Sequence, residues 1–228
     1  MKKLAEEIIR KIDLENFELS ESYFYNGIPL CVIDSIYSIG VKYESVKNVI
    51  SNFCVHEKIR KYRISKLKLP EIDDQYKVSD FIKKFEKFDT ESLAKEVFKN
   101  SHRTSTKNGI LKSEAVVEFL TILNKYKINT FQDLDKMNEK IENEILNIKG
   151  QKSGISIQYF YMLAGSNELI KPDRMIIRFL EKYLERKITI KESLGIISKT
   201  CEILESDFSV KITPRELDNA IWNYQRNQ

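Results

Sequence analysis

Three of the chain's seven glycines, Gly150, Gly154 and Gly165, fall within 16 residues in the stretch ILNIKGQKSGISIQYFYMLAGSNELIKPD. A helix ending at Ile148, a turn through Gly150 and a second helix beginning near Ser153 would leave backbone N–H groups unpaired where the helix dipole is positive. Such a turn can hold a phosphate. Gly150 would supply the positive φ or the close backbone approach, and Lys149 and Lys152 the charge. The same spacing also suits a plain connection between helices with a glycine stop. Downstream, Lys171-Pro172-Asp173 leads into a helix that starts at Arg174, which puts Asp173 at or beside its N-cap. Its carboxylate either caps that helix, worth on the order of 1 kcal/mol, or is presented for chemistry.

Other reactive side chains are few. Cys31, Cys54 and Cys201 lie 23 and 147 residues apart, and only two histidines accompany them, so the spacing predicts no metal site. In contexts such as PLCVI and SNFCV the thiols read as small hydrophobes. The net charge is +4, but it is unevenly spread. Residues 56–68, HEKIRKYRISKLK, hold Lys58, Arg60, Lys61, Arg63, Lys66 and Lys68 against one acid, and a second basic stretch has His102, Arg103, Lys107 and Lys112. Such runs are either a solvated face or a contact surface for a polyanion.

The elements that must carry these residues are helical. Seven Gly and four Pro in 228 residues are too few for a turn-dense sandwich or barrel. Apolar residues recur at helical spacing over Leu111–Tyr126, Arg174–Tyr183, Ser193–Leu204 and Ser79–Phe88. Thr189 with Glu192, and Thr213 with Glu216, read as capping boxes, the second with Pro214 at the first helical position. Further helices are predicted at Lys2–Asp13, Leu30–Ile39, Glu44–Phe53, Thr90–Phe98, Thr130–Met137 and Lys140–Ile148. The least helical tract, 56–77, reads as an insertion or mobile loop. No stretch nears the roughly 18 apolar residues of a membrane span. The amino terminus, with Glu6 and Glu7 where a signal peptide needs an apolar core, carries no secretory address, so a cytoplasmic location is expected.

A helix, a glycine turn, a second helix, a glycine-containing loop and an aspartate at the next helix start together resemble the helix-hairpin-helix base-excision DNA glycosylases, the group of endonuclease III and the adenine-mismatch glycosylases. Pro29 to Ser38 and on to Val49 resembles that family's early helix pair, and Gly109 to Ala115 its helix entered from a glycine turn. Ile148 to Gly165 falls on the hairpin and its second helix. Pro172 to Arg178 falls on the helix with the essential aspartate, here Asp173, with an arginine five residues later. The resemblance implies an all-α, two-lobed fold. Residues 30–165 would form a central bundle with an insertion at about 56–108, and 1–29 with 166–228 the second lobe. It implies a monomer without cofactor, binding duplex DNA in the cleft between lobes, with a base rotated out of the stack. Asp173 would be the catalytic carboxylate, stabilising the positive charge that builds on the deoxyribose as the glycosidic bond breaks. Lys149, Gly150, Lys152, Ser153 and Gly154, with Lys58, Arg60, Lys61, Arg63, Arg103 and Lys112, would contact phosphates. Tyr37, Tyr43 and Tyr159 are candidate base-pocket aromatics, although aromatics at helical spacing also build cores.

The chain also departs from that family. Bifunctional members carry a catalytic lysine where Gly154 stands, which argues against Schiff-base chemistry and strand cleavage. Lys152 replaces the second hairpin glycine, and Gly40 the base-inserting glutamine. The resemblance therefore implies a monofunctional DNA N-glycosylase, with a catalytically inactive nucleic-acid-binding or protein-interaction module of the same fold as the alternative.

Overall fold

The computed structural model describes residues 1–85 and 87–228. The chain is all-helical, with no β-strand among the described residues beyond two isolated antiparallel bridges, Tyr25 with Tyr62 and Arg103 with Leu111. No helix of the described residues is long and apolar enough to cross a membrane. The chain divides into two compact units, Met1–Ser20 with Gly165–Gln228, and Glu21–Ala164.

The first unit consists of α1 (Lys2–Lys11) and three helices from the carboxy-terminal part, Arg174–Leu184, Ile190–Phe208 and Pro214–Arg226. In α1 the residues Leu4, Ala5 and Ile8 form one buried face, and a charged face opposite carries an Arg10–Glu7 pair. The unit's core combines that face with Ile176, Phe179 and Leu180 from one later helix, Ile197 and Leu204 from the next, and Leu217 and Ile221 from the last.

The second unit is organised around α2 (Ile28–Tyr37), every residue of which is buried. Gly27 and Pro29 start it where the sequence is apolar on all sides, the composition of a central helix rather than a surface one. α3 (Tyr43–Glu57) packs on it, and α4 (Val78–Phe85) follows. α5 (Thr90–Ser92), capped by Asp89, runs into a π turn over Leu93–Val97. α6 (Lys112–Lys125), α7 (Glu139–Leu146) and α8 (Ile155–Ala164) complete the unit, with α6 and α8 against α2. Phe53 of α3 lies among Phe81, Phe85 and Phe98, with ring centroids 5.8 to 6.1 Å from its own. Residues 21–29, expected with the amino-terminal lobe, belong to this unit because Tyr25 and Asn26 are tied to the 61–63 backbone.

Local signals explain the helix starts. α9 (Arg174–Leu184), α10 (Ile190–Phe208) and α11 (Pro214–Arg226) begin at Asp173, Thr189 and Thr213, and both expected capping boxes are formed. A third box, Thr130 with Asp133, opens the 3-10 helix Phe131–Lys136. Partial burial opposes the Asp133 charge, but Lys136 and the amides of Asn129 and Thr130 outweigh it and hold the carboxyl down at about 2. The 56–77 tract is not a free loop. Asn26 donates its amide to Lys61 at 3.0 Å and Arg63 donates to Phe24 at 2.9 Å, a two-residue antiparallel clasp that fixes the middle of the basic run.

Candidate functional site

The connection between α7 and α8 is a tight turn with two left-handed glycines, Gly150 at φ +94° and Gly154 at φ +75°. Two of its amides are used internally, Gln151 to the Ile148 carbonyl at 2.9 Å and Gly154 to the Gln151 carbonyl at 3.0 Å. Among the described residues no acceptor takes the amides of Lys149, Gly150, Lys152 or Ser153. Lys149, Gly150, Lys152 and Ser153 are exposed, so four unpaired amides, a hydroxyl and two ammonium groups lie on one short solvent-facing turn. That is the composition of an anion site. The turn is held from beneath by Gln151, which is buried and accepts from the Ser156 hydroxyl. It is held from the side by Thr104. A Cβ at Gly150 would stand 2.5 Å from the Thr104 Cβ and from its hydroxyl oxygen, so the Thr104 side chain fills the space that only glycine leaves. The Thr104 hydroxyl is buried there without a hydrogen-bond partner.

Asp173 is half-buried at the head of α9. Its Oδ1 accepts from the amides of Met175 at 2.7 Å and Ile176 at 3.2 Å, so one carboxylate oxygen is committed to its own helix. Asp173 in turn acts electrostatically on a second carboxyl, that of Asp218 on α11. Asp218 is 2% exposed, and its Oδ1 accepts the Lys171 amide at 3.1 Å. Desolvation pushes its carboxyl well above the usual range, and the Asp173 charge pushes the same way. The Lys171 amide and ammonium only partly offset them.

Other expected contacts divide by exposure. Lys58, which ends α3 in a left-handed conformation, and Arg60 and Arg103 are exposed. The guanidinium of Arg103 donates to the Gly109 carbonyl at 2.9 Å. Lys61 lies over the Tyr62 ring and donates to the Ser51 hydroxyl at 3.3 Å. Two expected phosphate contacts need correction. Lys112 is buried, and its ammonium donates to the Tyr37 and Ile39 carbonyls, so it neutralises the end of α2 rather than a ligand. Arg63 is wedged between the Phe24 and Phe131 rings, 5.6 and 5.0 Å from their centroids, with Nε and Nη2 buried.

The three candidate pocket tyrosines are built into packing. Tyr37 is buried edge-on to Phe98, and Tyr159 is buried edge-on to Tyr23, so neither leaves a face for a base. Tyr43 is partly exposed, but its hydroxyl belongs to a buried group with Tyr25 and Ser22. At the centre of that group is Asp34, wholly buried on α2, which accepts from Tyr25 at 2.7 Å and from Ser38 at 2.6 Å. Burial and the Asp34 charge keep the Tyr25 phenol protonated far above its ordinary range.

Asp218, Asp34, Gln151 and Thr104 went unnoticed in the sequence. The first two carried a readable signal. Asp218 occupies the core stripe of its helix together with Pro214, Leu217 and Ile221, and Asp34 interrupts an otherwise apolar helix. A lone acid on a buried face marks either a polar network or a site. The cysteines are buried and form no disulfide among the described residues, in keeping with their apolar contexts. Burial raises the Cys54 and Cys201 thiols to about 11 and about 12.

Residues 2–226 match the family model described as a domain of unknown function, DUF8548, and the chain belongs to that family. No curated protein and no solved structure matches it.

Proposed function

We propose that this chain, and through it the DUF8548 family, is a DNA-binding protein of the helix-hairpin-helix glycosylase kind that hydrolyses an N-glycosidic bond without cleaving the strand. The observation that carries the reading is the α7–α8 turn. Two left-handed glycines, four unpaired amides and two exposed lysines on seven consecutive residues, 148–154, suit a backbone phosphate better than they suit a simple connection. In this reading the turn anchors the duplex, and the exposed Arg60, Lys58 and Arg103 add phosphate contacts that carry no sequence information.

Asp173 supplies the chemistry. As the base departs with the bonding electron pair and takes up a proton, positive charge grows on the sugar. A carboxylate facing C1′ stabilises that charge and receives the proton of the attacking water. The helix amides on Oδ1 fix the group's orientation and leave Oδ2 for this work. Gly154 offers no amine, so no covalent intermediate with the sugar is proposed.

The second reading, a nucleic-acid-binding module without catalysis, is favoured by one observation: the Asp173 bonds to Met175 and Ile176 are those of an ordinary helix cap. A panel of duplexes with damaged and mismatched bases separates the two. The enzymatic reading expects base release by the wild type, lost in Asp173→Asn with duplex retention unchanged. Salt-dependent retention without base release from any duplex selects the binding module, and absence of retention rejects both.

A further inference from the structure

Asp173 does not hold its place alone. The carbonyl of Lys171 accepts the Asp173 amide at 2.6 Å, and the amide of Lys171 is given to Oδ1 of Asp218 at 3.1 Å. Between them Pro172 is buried and has its φ fixed by its ring, so the tripeptide moves as one piece. The far end of this relay is also anchored. α11 begins with the Thr213–Glu216 capping box, and Arg215 donates its backbone amide to the Asn167 carbonyl at 3.1 Å.

We propose that Asp218 is the positioning residue of Asp173: from within the α11 face it grips the Lys171 amide, and through the Lys171–Asp173 turn it sets where the Asp173 carboxylate stands. The catalytic meaning of this rests on the glycosylase reading, whereas the mechanical coupling does not. A carboxyl is an expensive means of holding one amide in the interior, since a buried ionised acid loses its hydration. The surroundings of Asp218 lower that cost by favouring its neutral form. Burial is the main reason and Asp173 the second, and the neutral form spares Asp173 a second negative charge beside it. The ionisable groups that act on Asp218 are Asp173, at the head of α9, and Lys171.

The test uses the full chain with aspartate carboxyl carbons labelled for NMR, in the wild type, Asp218→Asn and Asp218→Ala. Asn keeps an acceptor for the Lys171 amide, and Ala removes it. The expected result is that the Asp173 carboxyl signal and its titration midpoint move in Asp218→Ala and return to the wild-type position in Asp218→Asn. Where base release is measurable, Ala lowers kcat by on the order of a hundredfold with KM unchanged, and Asn restores it. An Asp173 signal unmoved by Ala overturns the proposal. If Ala does not fold, Asn alone decides, and a displaced Asp173 signal in that variant overturns it equally. A wild type that releases no base but shows the Ala shift and its rescue by Asn rejects the glycosylase reading and leaves the coupling standing.

Discussion

Lys112 donates its ammonium to the Ile39 carbonyl at 2.7 Å, across 73 residues of sequence, and to the Tyr37 carbonyl at 2.9 Å. A positive charge at the carboxyl end of α2 offsets the helix dipole and satisfies carbonyls that have no intrahelical partner. Lys112→Met should therefore destabilise the fold by about 2 to 4 kcal/mol, because one buried and one part-buried acceptor lose a charged donor. Denaturant unfolding measures the loss, and an unfolding midpoint unchanged from wild type would show that the carbonyls find other partners.

Phosphate contact by the turn lysines has a different signature. Lys152→Ala should leave stability within about 0.5 kcal/mol, as expected of an exposed side chain. It should also reduce the slope of log affinity against log salt on duplex DNA by about 0.9. Equal slopes for the variant and the wild type would remove Lys152 from the interface.

Gly150 and Gly40 form a natural comparison. Both have positive φ, but a Cβ at Gly150 meets Thr104 at 2.5 Å, whereas one at Gly40 meets nothing within 4 Å. Gly40→Ala should lose only the backbone term, about 1 kcal/mol. Gly150→Ala adds a steric conflict and should lose a further 1 to 3 kcal/mol, with weaker duplex retention. Similar losses in the two variants, read by thermal unfolding, would mean that the Thr104 loop yields without cost.

The raised carboxyl of Asp218 makes stability depend on pH with a definite sign. Above about pH 3.9, where an unfolded aspartate ionises, the native state retains a proton that the unfolded chain releases, so stability falls as pH rises. Within that window the slope is about 1.4 kcal/mol per pH unit, and it ends once pH passes the folded value. Asp218→Asn should match the wild type near pH 4 and gain on it as pH rises, until the folded carboxyl ionises. A stability gap that stays flat over that range would mean Asp218 is ionised in the fold.

The helices were legible because their causes are local. The apolar stripe of α6, the boxes at Thr189 and Thr213, and the aspartate before α9 each declare an element within a few residues. The glycine pair of the α7–α8 turn was legible for the same reason. What escaped depends on contacts far apart in sequence. Lys112 looked like a surface cation because its carbonyl partners lie 73 and 75 residues earlier. Arg63 looked like a phosphate ligand because Phe24 and Phe131 are brought to it only by folding. For Tyr37 and Tyr159 helical spacing allows either a pocket or the core, and only the Phe98 and Tyr23 rings that folding brings beside them decide for the core. The Asp218–Lys171 bond spans 47 residues, and only the acid's place on an apolar stripe hinted at it.

The buried thiols carry an experimental consequence. With Cys54 and Cys201 kept from ionising and Cys31 sealed in α2, alkylating reagents have no fast target on the native surface. A cysteine engineered onto an exposed position such as Leu67 would then take a fluorophore selectively without removal of the native three. Slower modification of those three would serve as a clock for transient opening of the interior.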